Sequence, residues 1–215
     1  MADHAQSPVR SVVVTGASTG IGHACALRLD GLGLRVFAGV RREEDGRALK
    51  QQASERLVPI SLDVVDPASI AAATQAVSVA LGDAGLDGLV NNAGIAVAAP
   101  VEFIPIAELR RQLEVNVTGQ IAVTQAFFPL LRLARGRIVN MGSIGGRLAS
   151  PFLGPYAASK FAMEALTDCL RVELRPWGMH VAIVEPAGIA TPIWDKSIGE
   201  ADRLLQSMPQ QLFDY

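Results

Sequence analysis

The chain has 215 residues, half of them hydrophobic, and a formal net charge of −2 at pH 7. That length suits one large α/β domain with a substantial core, and the charge balance excludes the basic footprint of a nucleic-acid-binding protein. No apolar run approaches the ~20 residues of a membrane span. Residues 1–10 are polar and lack the apolar stretch of a secretory signal, so a cytoplasmic location is expected.

Residues 1–10 are expected to be disordered and 11–215 to form a single domain. Strands are predicted at 11–15, 35–40, 57–62, 86–90, 137–141 and 180–185, each short and rich in Val, Ile and Leu, as strands buried on both faces are. Helices are predicted between them at 20–32, 43–54, 67–81, 106–134 and 155–176. Strand–helix alternation implies βαβ units, hence a doubly wound parallel sheet of the Rossmann type with helices on both faces. In such sheets ligands bind outside the carboxyl ends of the strands, so residues that carry chemistry should follow strands. Cys25 and Cys169, the only cysteines, fall in predicted helices and read as two buried free thiols.

The first strand leads into Thr15-Gly16-Ala17-Ser18-Thr19-Gly20-Ile21-Gly22. Gly16 permits a tight turn, Gly20 a close approach of backbone to a diphosphate, and Gly22 close packing of helix on strand. The helix that starts here offers free N–H groups and a positive dipole end to phosphates. The second strand ends in Val40-Arg41-Arg42. A fold that prefers NAD carries an acidic residue at this strand end for the ribose 2′-hydroxyl, and Val40 cannot supply one. Arg41 and Arg42 instead suit a 2′-phosphate, so NADP(H) is expected to be preferred, with NAD(H) possible. After the third strand, Asp66 before Pro67 is placed to cap the next helix. Asn91-Asn92-Ala93-Gly94 follows the fourth strand, with Gly94 supplying backbone freedom and the Asn side chains satisfying strand-end groups.

The most informative stretch is Pro155-Tyr156-Ala157-Ala158-Ser159-Lys160. Tyr156 and Lys160 are one turn apart on one helix face, and Pro155 suits the first turn of that helix. A free phenol, with a pKa of about 10, is a poor base at neutral pH. A lysine ammonium beside it favours phenolate and is expected to draw Tyr156 toward working pH, where acid/base catalysis is efficient. Ser143 lies just past the fifth strand, thirteen positions before Tyr156, and its hydroxyl can hold a substrate carbonyl oxygen beside the phenol. Asn116, among apolar neighbours in the long helix, is expected to bend it and to hold a water that relays protons to Lys160.

The spacing Gly-x-x-x-Gly-x-Gly behind Thr15, together with Asn116, Ser143, Tyr156 and Lys160, resembles the short-chain dehydrogenase/reductase family and its Asn–Ser–Tyr–Lys tetrad. The likeness runs from Val12 to Thr191. The wording from Tyr156 to Leu166 and Arg171-Val172-Glu173-Leu174 is most similar to the retinol- and hydroxysteroid-dehydrogenase-like branch. The resemblance implies an oxidoreductase transferring hydride between NAD(P)(H) and a secondary alcohol or carbonyl, with a hydrophobic, steroid-, retinoid- or ketone-like substrate. It implies a dinucleotide site formed by Gly16, Ser18, Thr19, Gly20, Ile21, Gly22, Arg41, Arg42, Asp63, Val64, Asn91, Ala93, Gly94, Tyr156, Lys160, Pro186, Gly188, Ile189 and Thr191. Within it, Asp63 would bond the adenine amino group and Thr191 lie near the carboxamide. The long helices resemble those that pair family subunits into homodimers or homotetramers. No metal is implied.

The chain departs from the family in two places. Pro186-Ala187-Gly188 stands where Pro-Gly is usual, which puts the path of that loop in question. Members also continue through a further helix and a seventh strand, so the resemblance implies a C-terminally incomplete Rossmann fold ending at Tyr215. That motivates an alternative: a catalytically impaired dinucleotide-binding regulatory protein, or an inert fragment. Residues 187–215 are expected to form a lid, with Ile193, Trp194, Ile198, Leu204, Leu205, Met208, Leu212 and Phe213 either on the core or lining a hydrophobic pocket.

Overall fold

Short apolar runs and helix-period segments alternate along the chain, and the computed structural model, which describes residues 9–206, builds a sheet from the former. The strands are β1 (Ser11–Val14), β2 (Arg35–Val40), β3 (Leu57–Ser61), β4 (Gly88–Asn91), β5 (Arg137–Met141) and β6 (His180–Val184). All pair in parallel, in the order β3-β2-β1-β4-β5-β6. The helices are α1 (Gly20–Gly31), α2 (Glu43–Lys50), α3 (Pro67–Leu81), α4 (Ile106–Leu113), α5 (Gly119–Ala134), α6 (Gly154–Glu173) and α7 (Pro192–Gln206). The expected disorder of 1–10 falls mostly outside the described residues, as do Met208, Leu212 and Phe213.

The two-residue period of β1 divides the core. Val13 points into a cluster with Phe37, Leu89, Phe127, Leu131 and Ile138. Val12 and Val14 point the other way, among Ala26, Val36, Ala38, Leu49 and Leu57. Strand order reverses between β1 and β4, and such a reversal opens a crevice at the carboxyl ends of the strands.

Among the boundaries that differ from the sequence reading, two turn on a tertiary hydrogen bond and a third on a change of helix type. The fourth strand begins at Gly88 rather than 86, because Leu86 N–H donates to Leu130 O of α5 at 2.9 Å and is drawn out of the sheet. The second helix stops at Lys50 rather than 54, because Ser54 donates from its backbone N–H and its hydroxyl to buried Asp30. The expected helix 106–134 is three pieces, since a π-helical turn, Glu114–Thr118, joins α4 to α5. The thiols are free, but the burial expected of them is wrong: Cys25 is half-buried and Cys169 exposed, because the helical period turns Cys169 away from the sheet. The lid segment holds a helix, α7, that periodicity did not reveal.

Candidate active site

One cleft collects residues that follow the strands. It is lined by Gly16, Ser18, Thr19, Gly20 and Ile21 after β1, and by Val40 and Arg41 at the end of β2. Leu62, Asp63, Val64 and Val65 follow β3; Asn92, Ala93, Gly94 and Ile95 follow β4. Met141, Gly142 and Ser143 close β5, α6 adds Tyr156 and Lys160, and Pro186, Ala187, Ile189, Thr191, Ile193, Trp194 and Lys196 complete the wall.

The glycine loop is shaped for close approach. Gly16 and Gly20 have φ of +63° and +61°, a region costly to side-chain-bearing residues. A Cβ on Gly22 would overlap Gly16 O and Asn92 Nδ2, so the start of α1 packs directly on the loop. Thr19, at the N-cap, makes no side-chain cap bond, and the first turn of α1 has no acidic residue. Uncapped N–H groups at a positive dipole end, facing a cleft, fit the diphosphate of a dinucleotide.

Thr15 and Asn92 lock this loop to β4. Thr15 Oγ1 accepts from the N–H groups of Asn92 and Ala93, both at 2.9 Å. Asn92 Nδ2 donates to Thr15 O at 2.9 Å and Gly16 O at 3.1 Å. The sequence reading assigned cofactor contact to Asn91, and the structure places that residue elsewhere. Asn91 is buried behind the cleft, where Nδ2 donates to Thr124 Oγ1 at 2.8 Å and Asn140 Oδ1 at 2.9 Å. The period of β4 sends Asn91 inward, so Asn92 is the asparagine at the cleft.

Other expected contacts also lie outside the lining. Arg42 is held by Asp45, at 3.0 and 2.9 Å, and by Glu44 at 3.4 Å, whereas Arg41 faces the cleft and has no ion pair among the described residues. Gly188 is exposed, while Pro186, Ala187 and Ile189 line the cleft. Asp63 reaches the cleft, and its Oδ1 also accepts Val65 N–H at 3.2 Å. Asp66, as expected, caps α3 through Ala68 N–H at 2.9 Å.

Asn116 does not line the cleft either. Its Oδ1 accepts Ile95 N–H at 2.9 Å; its Nδ2 donates to Ile95 O at 3.0 Å and Ser159 Oγ at 3.1 Å. With both amide hydrogens committed, this side chain ties the loop after β4 to α6. Ser159 Oγ in turn donates to Tyr156 O at 2.7 Å. Gln112 and Gln120 perform the same task, on Ile95/Val97 and on Ala93 O. Sequence reasoning missed them, yet Gln112, Asn116 and Gln120 recur every four residues, which marks one polar stripe inside an apolar helix.

Tyr156, Ser143 and Lys160 do come together. Ser143 Oγ accepts Gly145 N–H at 3.0 Å and stands close enough to the Tyr156 hydroxyl to favour its ionised form. Lys160 Nζ lies 5.7 Å from the Tyr156 ring centre and donates to Met141 O at 2.7 Å. The Trp194 ring meets Tyr156 edge-on at 5.8 Å. Burial pushes the Tyr156 phenol above its ordinary value, outweighing the Ser143 hydrogen bond. No downward shift from Lys160 accompanies it, because Lys160 loses its proton near pH 8 and is neutral where a phenol above its ordinary value ionises.

Burial lowers Lys160 from 10.5 to about 8, against the pull of Glu164. The folded protein therefore releases this proton near pH 8, while the unfolded chain holds it to about 10.5. As pH rises through that window the folded state gains stability, by about 3 kcal/mol at most. Lys160→Met lacks that gain. Denaturant titrations of both proteins at pH 7 and pH 10 check it; an unchanged difference between them would refute the buried-ammonium account.

The model of the family described as short chain dehydrogenase matches residues 10–201. The chain belongs to this family. Among relatives of this short-chain dehydrogenase, human 17-beta-hydroxysteroid dehydrogenase type 6 is 45% identical over 181 residues, 84% of this chain and 57% of that protein. Mouse retinol dehydrogenase 5 is 42% identical over 183 residues, 85% and 57% respectively. These relatives set the chain in the retinol- and hydroxysteroid-dehydrogenase branch, and it spans under three-fifths of their length. A short chain dehydrogenase from Burkholderia cenocepacia J2315, solved in complex with NADP, superposes with a TM-score of 0.77 at 32% identity, covering 86% of this chain and 75% of that one.

Proposed function

We propose that this protein is an NAD(P)(H)-dependent alcohol dehydrogenase or carbonyl reductase acting on a hydrophobic substrate. The carrying observation is the meeting of Ser143, Tyr156 and Lys160 in one cleft with an uncapped, glycine-lined helix start. The loop after β1 and Lys160 would hold the dinucleotide, which when bound would supply or accept hydride. Ser143 orients the substrate oxygen, and Tyr156 gives it a proton or takes one. A phenol pushed up by burial is fully protonated at neutral pH, the form that donates to a carbonyl. Asn116 acts at a distance, by fixing the loop after β4. Steady oxidation of NADPH with a panel of hydrophobic ketones tests the reading. Tight NADPH binding without turnover across that panel would favour a regulatory dinucleotide-binding protein instead.

Ile95, Ile193 and Trp194 support a hydrophobic alcohol or ketone, since they face the cleft beside Tyr156. The lid reading of 187–215 is supported within α7. There Leu204 packs against the cluster of Val97, Ala99 and Ile104, and Glu200 meets Arg111 at 2.7 Å. Self-association is part of the proposal, supported by exposed Phe161 and Val172 on α6, and light scattering reports it. No helix among the described residues is long and apolar enough to cross a membrane. A cytoplasmic site of action is proposed, and cell fractionation checks it.

The preference for NADP(H) rests on Arg41 alone, Arg42 being occupied. A partly exposed arginine on a 2′-phosphate should give about a tenfold to hundredfold preference. Arg41→Ala is expected to weaken NADPH binding by that factor while leaving NADH nearly unchanged, as read by fluorescence titration. Equal losses for both would remove the phosphate from this assignment.

A further inference from the structure

Glu164 stands one helical turn beyond Lys160 on the buried face of α6. Its carboxylate lies 3.0 Å from Arg147 Nη2, yet neither oxygen has a hydrogen-bond partner among the described residues. Such a buried, under-bonded anion is unfavourable, and an apolar residue of similar size would be the more stable choice. Something other than packing therefore accounts for it. The charges that face it are Lys160, Asp168 and Arg171 from α6, Arg147 from the segment after β5, and Glu185 beyond β6.

Two of those cations connect to the site, one directly and one through the turn after β5. Lys160 lines the cleft. Arg147 ends the 3₁₀ turn Ile144–Gly146 that starts from Ser143, and it also meets Glu185 at 3.0 Å, next to the cleft-lining loop that begins at Pro186. The turn and the helix are in direct contact, since a Cβ on Gly146 would stand 3.1 Å from Lys160 O and 3.2 Å from Glu164 Oε1. We propose that Glu164 is a positioning residue: facing Lys160 on one side and Arg147 on the other, its buried carboxylate holds the lysine-bearing turn of α6 and the serine-bearing turn after β5 in register. This rests on the roles assigned above to Ser143, Tyr156 and Lys160. The electrostatics agree. Burial raises Glu164, with Glu185 adding and Arg147 opposing, and Glu164 in turn raises Lys160, which still falls to about 8.

The test reads Lys160 itself, by NMR titration of isotope-labelled lysine side chains in the full chain, its signal assigned with Lys160→Met. Glu164→Gln keeps shape and removes charge, so the Lys160 pKa should fall by about half a unit to one unit. Glu164→Asp should restore most of it. Arg147→Gln, at an exposed position, removes the cation paired with Glu164 and should also move Lys160. In carbonyl reduction by NADPH, the alkaline limb of kcat/KM should shift with each variant in the same direction. An unmoved Lys160 in both Glu164→Gln and Arg147→Gln overturns the proposal. If Glu164→Gln does not fold, Arg147→Gln decides alone. Because the NMR readout needs no turnover, a wild-type protein inert toward every ketone would refute the assigned chemistry while leaving Glu164 testable.

Discussion

Tyr156→Phe is expected to lower kcat for carbonyl reduction by about 10²- to 10⁴-fold while leaving NADPH affinity within a factor of about two. The substitution keeps the ring, its edge-on contact with Trp194 and its position under the Lys160 ammonium. It deletes only the hydroxyl that Ser143 orients. The loss should fall on kcat, since the proton is needed in the transition state rather than in the resting complex. Stopped-flow oxidation of NADPH under single-turnover conditions separates the two quantities. A variant keeping more than about a tenth of wild-type kcat would mean that another group, or water, supplies the proton.

Gly22→Val should remove dinucleotide binding and destabilise the fold together. Any Cβ at this position overlaps Gly16 O and Asn92 Nδ2, so the substitution breaks the bonds from Asn92 to Thr15 O and Gly16 O. Overpacking and the lost bonds amount to about 2–4 kcal/mol, which for a domain of this size lowers Tm by about 5–10 °C. The upward Tm shift that saturating NADPH gives the wild type should vanish, because a displaced loop no longer points its N–H groups at the phosphates. Gly31→Ala, where a Cβ meets nothing within 4 Å, is the matched control and should hold both Tm and the ligand-induced shift. Retention of that shift by Gly22→Val would show that the glycine loop does not bind the cofactor.

Much of this site was legible in the chain because its signals are local. Gly16, Gly20 and Gly22 mark a strand-to-helix turn through backbone and steric requirements that no other residue meets. Tyr156 and Lys160 share a face through the helical period alone. Asn91 misled because two adjacent asparagines differ only in the side of the strand they occupy, and that parity depends on where the sheet begins. Arg42 misled for a related reason: the sequence shows a basic pair at a strand end, but not that Asp45, three residues on, would draw one of the two away.

The alternation of apolar strand runs with helix-period segments, acting residue by residue through burial and backbone geometry, determined the six parallel strands, their flanking helices and the glycine-loop crevice. Tertiary structure alone decided the surroundings that shift the proton affinities of Tyr156 and Lys160. Whether Lys160 lowers Tyr156 depends on the lysine keeping its proton, and burial releases that proton near pH 8. It also decided that Glu164 is buried between Lys160 and Arg147, because desolvation is set by every element packed around a group and is written at no single position in the chain.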